Sequence, residues 1–365
     1  MSRGDLLERT IAAIPSPDLD VAAETARRLD AKTKPPGSLG RIEDLACRVA
    51  AIHGAVPSER LRSAIVVAAA DHGVATRGVS AYPQEVTAQM LANFARGGAA
   101  ISVLARQAGA RLVVVDAGVI GGGSVEGVRV EIVDGVRGSE DLTLGPAMSR
   151  STAFGQIERG IVLADELADD GIGILGLGEM GIANSTSASA LAAALLPSEP
   201  SLVCGPGTGV DDEGLARKVD AVRRGLELNG LPRTGADPVG VLSAVGGLEI
   251  AFLVGLTLGS AARRIPVLLD GFITSAAALV AVRLDGRCAG SLIAATRSPE
   301  PGHALVLEAL GLEPLLDLRL RLGEGTGAAL ALPLVRSAIA ILTDMATFDA
   351  AGVSGPAEAP APADV

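Results

Sequence analysis

Short apolar runs alternate along the chain with longer segments of helical periodicity. The runs in SAIVVAAADHG, RLVVVDAG, GIGILGLGE and IPVLLDGF end at Asp71–His72, Asp116, Glu179 and Asp270, respectively. An unbroken apolar run of this kind is typical of a strand that is buried on both faces of a sheet. Helical spacing occupies residues 84–107, 184–196 and 213–228. The alternation predicts an α/β fold: a parallel, Rossmann-like sheet with helices on both faces.

The polar residues that end these runs have a predicted place in the sheet. In open parallel sheets, ligands bind beyond the carboxyl ends of the strands. We therefore expect the residues that end the four runs to converge on one crevice, which becomes the candidate binding site.

The two ends of the chain depart from this pattern. Residues 1–60 are helical and charged, and we expect them to form the N-terminal part of a small helical domain outside the sheet. Residues 61–300 form the predicted sheet domain. Residues 301–349 form a C-terminal part with a glycine-rich loop and a closing helix. Residues 350–365 are rich in Ala and Pro and predict a disordered tail.

Composition narrows the class of protein. The chain has 365 residues, of which 48% are hydrophobic, and a net charge of −11; it can form a large core and is not suited to a nucleic-acid partner. The three cysteines lie far apart without a CxxC pair, so neither a zinc site nor a disulfide framework is predicted. The most hydrophobic window, 251–262, is too short for a membrane span and predicts a buried helix. The N-terminus lacks an apolar signal core, which predicts a cytoplasmic protein.

The loop after the first run, residues 70–90, is the first candidate site. It contains His72, Ser80, Gln84 and Gln89, and the only tyrosine of the chain, Tyr82. Such residues also occur in ordinary loops, but a long loop just past a buried strand favours a functional role.

A glycine turn at 176–190 is the second candidate. We expect Asn184, Ser185 or Thr186 to cap the following helix, whose free N–H groups attract anions. Gly176, Gly178 and Gly181 also match the dinucleotide-binding pattern G-x-G-x-x-G. Against that reading, Glu179 inside the pattern would repel a pyrophosphate, and no acid for a ribose follows at the expected distance.

Three further segments place polar residues near the predicted crevice. The turn GPGTGVDDEGLARK leads to Lys218, which is either functional or an ordinary surface lysine, and no Walker motif is present. The strand LLD ends at Asp270–Gly271, and the segment RSPEPGH contains Ser298 and His303.

Glu324 lies in the stretch RLRLGEGTGAALALP, between two glycines and just before an apolar helix. Glycine permits positive φ and close backbone approach. We expect the N–H groups of the helix that begins near 327 to point toward this carboxylate. It is therefore either a helix cap or a general base whose pKa is raised in a crevice of low polarity.

The motifs, taken in order, identify a family. TKPPGSLGRIEDLA, GVSAYPQEVTAQM, GLGEMGIANSTSA, GTGVDDEGLARK, VGGLEIAFLVG, LLDGFITSAAA, EPGH and LRLGEGTGAALALPL follow one another over residues 30–345. The chain thereby resembles the nicotinate-nucleotide–dimethylbenzimidazole phosphoribosyltransferase family of cobalamin nucleotide-loop assembly.

The resemblance implies a reaction and an assembly. The phosphoribosyl group of nicotinate mononucleotide passes to 5,6-dimethylbenzimidazole with inversion, which gives α-ribazole 5′-phosphate and nicotinate. The family uses no metal or redox cofactor. It is a homodimer of chains with a parallel-sheet domain and a small helical domain.

The resemblance also implies roles for single residues. Glu324 matches the general base, and Glu179 and Lys218 match two further residues of the catalytic site. The residues that would line the phosphoribosyl site are Gly178, Gly207, Asp270, Gly271, Ser298 and Arg321, with Lys34 reaching across the dimer. The base pocket would be formed by Ser80, Tyr82, Gln89, Met90 and Leu322.

Some alternatives remain open. Tyr82 and Met90 stand where some family members have serine and glutamine, so adenine, a phenol or another benzimidazole could replace dimethylbenzimidazole as acceptor. From another class, an NAD-binding oxidoreductase would use the glycines at 176–181. A non-catalytic nucleotide sensor of similar fold would tolerate the loss of Glu324, and the intact glutamate speaks against it.

Overall fold

A computed structural model describes residues 3–231 and 237–355 of the chain. The helices are α1 Asp5–Ala13, α2 Leu19–Asp30, α3 Arg41–His53, α4 Val86–Ala95, α5 Ala100–Gln107, α6 Arg150–Asp169, α7 Asn184–Leu195, α8 Pro200–Val203, α9 Asp212–Leu228, α10 Pro238–Val245, α11 Leu248–Ala262, α12 Phe272–Leu284, α13 Pro301–Leu310, α14 Thr326–Asp344 and α15 Phe348–Ala351. The strands are β1 Arg62–Ala70, β2 Arg111–Gly118, β3 Val128–Val130, β4 Ile172–Met180, β5 Val267–Leu269 and β6 Leu292–Ala294.

The six strands form one sheet in the order β3-β2-β1-β4-β5-β6, and every pairing is parallel. The four predicted strands are confirmed as β1, β2, β4 and β5, and the predicted α/β class is confirmed with them. Strand β1 is the central one, and all of its residues except Arg62 are buried, which explains its unbroken apolar sequence. The strands β3 and β6 escaped prediction because each has only three residues, too few to give a pattern.

The strand order reverses between β1 and β4, which is the switch point of a doubly wound sheet. There the connections from β1 and β4 leave toward opposite sides and open a crevice at the carboxyl ends of the strands. Asp71 follows β1, and Glu179 is the next-to-last residue of β4. The sheet therefore brings these parts of the chain to the edge where a ligand is expected.

The helix predictions hold with two corrections. Helix α7 and helix α9 match the predicted stretches, but residues 84–107 form two helices, α4 and α5, because Gly97 between them has a φ of 77°. The predicted cap of α7 is wrong. Ala183, in a left-handed conformation with φ 76°, precedes the helix and no side chain caps it.

Helix α11 is the buried helix predicted over 251–262. Its residues from Leu248 to Ala261 are all buried, and its main partner is α6. A side chain on Gly160 of α6 would collide with the carbonyl oxygen of Phe252, and one on Gly255 of α11 would collide with that of Ile157. Two glycines therefore let the helix backbones approach each other directly.

The chain divides into two compact units. The first takes in Met1–Ser16 and Arg62–Leu332, and the second takes in Pro17–Leu61 and Pro333–Val365. These bounds differ from the expected ones at 1–60 and 301–349. The first segment joins the sheet unit because Leu7 and Ile14 are buried in its core. Toward the C-terminus, the boundary between the two units lies inside α14, at Pro333.

The second unit is built on helices α2 and α3 and the C-terminal end of α14. Asp18 caps α2 by accepting from the backbone N–H of Val21 at 3.0 Å. Lys34 is buried here, and its Nζ donates to Glu43 Oε2 at 2.8 Å. Of the predicted tail at 350–365, α15 ends at Ala351 and residues 356–365 lie outside the described residues.

One helix, α14, is long and apolar enough to cross a membrane by length and composition, with a mean hydropathy of 1.6. The core helix of a globular protein passes the same test, and 56% of that window is buried inside the structure. The helix therefore carries no argument for a membrane span.

The glycine contact between α6 and α11 generates a stability prediction. Gly255→Ala should lower the free energy of unfolding by about 1–3 kcal/mol, because a methyl group there forces two packed helices apart. The measurement is urea unfolding followed by circular dichroism. Gly145→Ala is the control, since no atom lies within 4 Å of the added methyl group and the expected change is under about 0.5 kcal/mol. Equal stability of the two variants would contradict the close helix contact.

Candidate active site

Glu179 places a carboxyl group at the carboxyl end of β4. Its side chain is buried, and the Asn184 amide Nδ2 donates to its Oε2. Burial raises the pKa of Glu179 to about 8, against the effect of the Asn184 hydrogen bond, and the neighbouring carboxylates Asp270, Glu249 and Glu324 raise it further. Asn184 is the first residue of α7, with Ala183 in the capping position, which explains why its side chain does not cap the helix and is free to donate to Glu179.

Asp270 follows the short strand β5 and is also buried. Its Oδ2 accepts from the backbone N–H of Gly325 at 3.0 Å, and its Oδ1 accepts from that of Gly327 at 2.5 Å. Burial raises the pKa of Asp270 to about 7, although these backbone hydrogen bonds oppose the shift. Asp270 therefore occupies the N-terminus of α14, where a negative charge is favoured by the helix dipole.

The turn that carries Glu324 has an unusual backbone. Gly323, Glu324 and Gly325 have φ values of 79°, 62° and 87°, so three consecutive residues lie in the left-handed region. That conformation is unfavourable for a glutamate but free of strain for the glycines on each side. A left-handed turn held inside the protein is often part of a functional site.

The Glu324 side chain is buried, and its Oε2 has no hydrogen-bond partner in the part of the chain that the structure describes. Burial raises its pKa, and the backbone N–H of Ile101 at the start of α5 opposes this shift. The expectation that the N–H groups of α14 point toward Glu324 is wrong, because those of Gly325 and Gly327 go to Asp270. Glu324 is thus a carboxyl group with an open acceptor position.

Lys218 lies on α9 and is buried, so it is not an ordinary surface lysine. Its Nζ donates to the carbonyl of Gly205 at 2.9 Å and to Ser185 Oγ at 3.0 Å. Burial lowers its pKa, and the carboxylate of Glu300 opposes this. Glu300 in turn accepts from the backbone N–H of Gly207 at 2.8 Å, while its Oε2 has no partner.

Ser298 belongs to a loop that His303 holds in place. The Ser298 backbone N–H donates to His303 Nδ1 at 2.9 Å, and His303 Nε2 lies 3.1 Å from Ser275 Oγ. Because Nδ1 accepts, the proton of the neutral ring is on Nε2 and is donated to Ser275. Burial lowers the pKa of His303 to about 4, with a smaller effect from Arg297, so the ring is neutral near physiological pH.

These elements border a cleft at the carboxyl edge of the sheet. It is lined by Val79, Ser80, Glu179, Met180, Gly181, Ile182, Ala183, Asn184, Ser185, Gly207, Thr208, Phe272, Ile273, Ser298, Glu300, Arg321 and Leu322. Six predicted site residues are in this set: Ser80, Glu179, Gly207, Ser298, Arg321 and Leu322. Gly271 lies close to it, as a side chain there would come within 3.9 Å of Ser298.

The structure does not bring all the predicted residues to the lining of the cleft. Glu324, Asp270 and Lys218 are buried and are not among its lining residues. Tyr82 is 53% exposed and Gln89 is also exposed. Met90 packs against the core layer beside β1. Gly178 lies under the Glu324 turn, and Lys34 is in the other unit.

Two of the four residues that end the predicted strands bind backbone N–H groups of loops and do not line the cleft. Asp71 accepts from the backbone N–H of Ile120 at 2.7 Å, and Asp116 accepts from those of Gly118 and Val119. They shape the loops after β1 and β2. We expected the residues that end all four apolar runs to lie together. Glu179 and Asp270 do so, whereas Asp71 and Asp116 bind the backbone of loops.

A second buried pair lies behind the Glu179 loop. His72 Nε2 is 2.8 Å from Glu249 Oε1, and His72 Nδ1 is 3.0 Å from Ser187 Oγ. Sequence reasoning missed this role of Glu249, as well as those of Asn184 and Glu300. The segment SPEPGH contains Glu300, so its acid could have been found there; Glu249 gives no local signal.

The dinucleotide reading of the glycine pattern is not favoured. Gly176 and Gly178 lie within strand β4 and not in a turn after it. A side chain at 176 would meet Ala328 and Ile65, and one at 178 would meet the Glu324 backbone. These glycines serve packing. Within residues 3–231 and 237–355 no cluster of His, Cys, Asp and Glu that could hold a metal ion is found.

Comparisons with known proteins identify the family of the chain. A family model described as "Phosphoribosyltransferase" matches residues 14–353. A protein of Chloroflexus aggregans is 50% identical over 97% of this chain and 99% of its own, and one of Geobacter sulfurreducens is 48% identical over 96% and 98%. Both are named nicotinate-nucleotide–dimethylbenzimidazole phosphoribosyltransferase.

A solved structure agrees as well. The crystal structure of CobT from Thermus thermophilus is 47% identical to this chain and superposes with a TM-score of 0.85 over 92% of this chain and 99% of its own. Identity of this extent along nearly the whole length goes beyond a shared fold. The chain belongs to the nicotinate-nucleotide–dimethylbenzimidazole phosphoribosyltransferase family.

Proposed function

We propose that this phosphoribosyltransferase moves the phosphoribosyl group of nicotinate mononucleotide to 5,6-dimethylbenzimidazole, for the lower ligand of cobalamin. The observation that carries the proposal is the buried Glu324, which follows the cleft residues Arg321 and Leu322 in the chain and whose Oε2 has no partner among the described residues, in a chain that is 50% identical over 97% of its length to a relative named for this reaction.

The reaction exchanges one bond to the anomeric carbon for another. The bond to the pyridinium nitrogen of nicotinate mononucleotide breaks, and nicotinate leaves with the electron pair. One nitrogen of the benzimidazole attacks the opposite face of the ribose, which inverts the configuration. Positive charge develops on the ribose as in glycoside hydrolysis. The other benzimidazole nitrogen must lose its proton.

Glu324 is the group suited to accept that proton. Burial raises its pKa, which makes the ionised carboxylate a stronger base than a solvated one. Its Oε2 is buried and has no partner within residues 3–231 and 237–355, which leaves a lone pair for an incoming N–H. A general base of this kind contributes about 10²–10⁴-fold in rate.

Glu179 has a different task in this proposal. With a pKa of about 8, it is largely protonated near neutral pH in the empty cleft. A cationic pyridinium ring or a ribose with developing positive charge would stabilise its ionised form. Glu179 therefore steadies the positive charge and leaves the proton transfer to Glu324.

The phosphate side lies around the Gly207 turn. Lys218 supplies a buried positive charge behind the turn through its contacts with Gly205 and Ser185. Arg321 lines the cleft and is exposed, so its guanidinium is accessible to an anion. Together with Gly271 and Ser298, these groups would hold the phosphoribosyl moiety.

The proposal also includes a pocket for the acceptor base, dimethylbenzimidazole. Ser80 and Leu322 line the cleft, and Met90 offers an apolar surface. An apolar pocket suits the methylated ring of dimethylbenzimidazole. Tyr82 and Gln89 stay predicted pocket residues and would have to approach on binding, because both are exposed.

We also propose that the protein is a cytoplasmic homodimer, in which Lys34 reaches toward the partner's site. Since Lys34 is paired with Glu43 in the single chain, that role requires the pair to open. Sedimentation equilibrium should give a mass near twice the 36.5 kDa of one chain. A mass of one chain at micromolar concentration would contradict the dimer.

A competition assay tests the reaction. The purified protein is incubated with nicotinate mononucleotide and equimolar dimethylbenzimidazole, adenine and p-cresol, and the ribotides are identified by mass spectrometry. We expect the dimethylbenzimidazole ribotide to dominate. Another dominant ribotide would keep the reaction but change the acceptor. No release of nicotinate with any of the three would contradict the proposed function.

The general-base role generates a prediction for Glu324→Gln. Its kcat should fall by about 10²–10⁴-fold, while binding of nicotinate mononucleotide, measured by calorimetry, should persist. In the unchanged enzyme, kcat/KM should fall as the pH is lowered through the pKa of Glu324, which burial raises above its ordinary value of 4.5, because only the ionised carboxylate accepts a proton.

The matched control is Glu308→Gln, which neutralises an exposed glutamate on α13 and should leave kcat unchanged. Full turnover of Glu324→Gln would remove Glu324 as the base.

A further inference from the structure

The Glu324 turn is fixed by contacts on three sides. A side chain on Gly323 would collide with Glu179 Oε1, so that glycine lies directly against the carboxyl group. A side chain on Gly178 of β4 would come within 2.5 Å of the Glu324 carbonyl oxygen. On the third side, Asp270 holds the backbone N–H groups of Gly325 and Gly327.

Of the three contacts, the one with Asp270 is made through hydrogen bonds, and these orient the backbone that follows Glu324. Its two oxygens take one N–H immediately after Glu324 and another two residues further on. The carbonyl of Asp270 accepts from Thr296 Oγ1 at 2.7 Å, which anchors the residue to the neighbouring β6 side of the sheet. The start of α14 is thereby tied to the end of β5.

We propose that Asp270 is a positioning residue: its carboxylate fixes the left-handed turn Gly323–Glu324–Gly325 and so aims the Glu324 carboxylate at the acceptor. This rests on the proposed role of Glu324 as general base. It replaces the expectation that Asp270 contacts the phosphoribosyl group, because both its oxygens are engaged by backbone N–H groups and the residue is only 4% exposed.

The physical reason for such a device is the conformation of Glu324. A glutamate with a φ of 62° is in an unfavourable backbone conformation that only its surroundings maintain. Without the two hydrogen bonds to Asp270, the turn would relax toward an ordinary helix start. A displacement of a catalytic group by about 1 Å can lower the rate about 10²-fold.

A double-mutant cycle tests the proposal, with Asp270→Asn, Glu324→Gln and the double variant. Asn keeps the shape of the side chain but turns an NH₂ group toward one of the two N–H groups. We expect kcat of Asp270→Asn to fall at least about tenfold, with KM for nicotinate mononucleotide within about threefold. In the Glu324→Gln background the same substitution should change kcat by less than about twofold, because the group that it positions is gone.

An exposed aspartate serves as the control, and two results would overturn the proposal. Asp169→Asn, an aspartate on α6 whose side chain is 71% exposed, should leave both parameters unchanged. A rise of the donor KM with unchanged kcat in Asp270→Asn would overturn the proposal in favour of donor binding. Additive losses of kcat in the double variant would also overturn it.

A second variant that alters the same turn is available in case Asp270→Asn does not fold. If circular dichroism shows that Asp270→Asn does not fold, Gly178→Ala takes its place in the cycle, since its methyl group displaces the Glu324 carbonyl without changing any charge. It should give the same fall in kcat and the same lack of additivity. If Glu324→Gln itself retains full turnover, the general base has failed; if Glu324→Gln is slow and the second variant is additive with it, only the positioning role has failed.

Discussion

Several carboxyl groups are buried at one end of the sheet, and the arrangement of the site depends on how each is compensated. A buried carboxylate without partners is costly, so it either binds donors or stays protonated. Asp270 takes two backbone N–H groups, Glu249 takes His72, and Glu179 takes the Asn184 amide. Glu324 accepts a single backbone N–H, that of Ile101, and its Oε2 has no hydrogen-bond partner among the described residues. In the proposed mechanism, this incomplete compensation leaves Glu324 able to take a proton from a substrate.

Close backbone contact is the second condition for this arrangement. Gly178 lets strand β4 touch the turn, and Gly323 lets the turn touch Glu179. A larger residue at either position would push Glu324 away from the strand end where the substrate is expected. The glycines on both sides of Glu324 are thus explained by packing against β4 and Glu179 as much as by backbone conformation.

The sequence predicted the parts of the fold in which local pattern and burial agree. The apolar runs of β1 and β4 are buried along almost their whole length, so their pattern was sufficient. The sequence did not predict which group accepts hydrogen bonds from the first N–H groups of α14. The acceptor is Asp270, which lies 55 residues away from Gly325 in the chain. The cap of α7 was missed because the helix begins one residue earlier than the capping rule requires. The left-handed Ala183 occupies the capping position, so Asn184 and the polar residues after it lie inside the helix.

The division of labour that we propose for Glu179 and Glu324 rests on their surroundings, since the two residues are of the same type. Groups in one site act differently when their environments push their pKa values apart. The pKa of Glu179 is raised to about 8 by burial and by three other carboxylates, so in the empty cleft it is the one that keeps a proton. Its negative charge is favoured only once a cation arrives. If Glu179 is protonated, less negative charge surrounds Glu324, which then ionises more easily as the carboxyl groups titrate together. In the proposed mechanism, a protonated Glu179 favours the ionisation of Glu324 before the donor binds. An ionised Glu179 then stabilises the ribose cation.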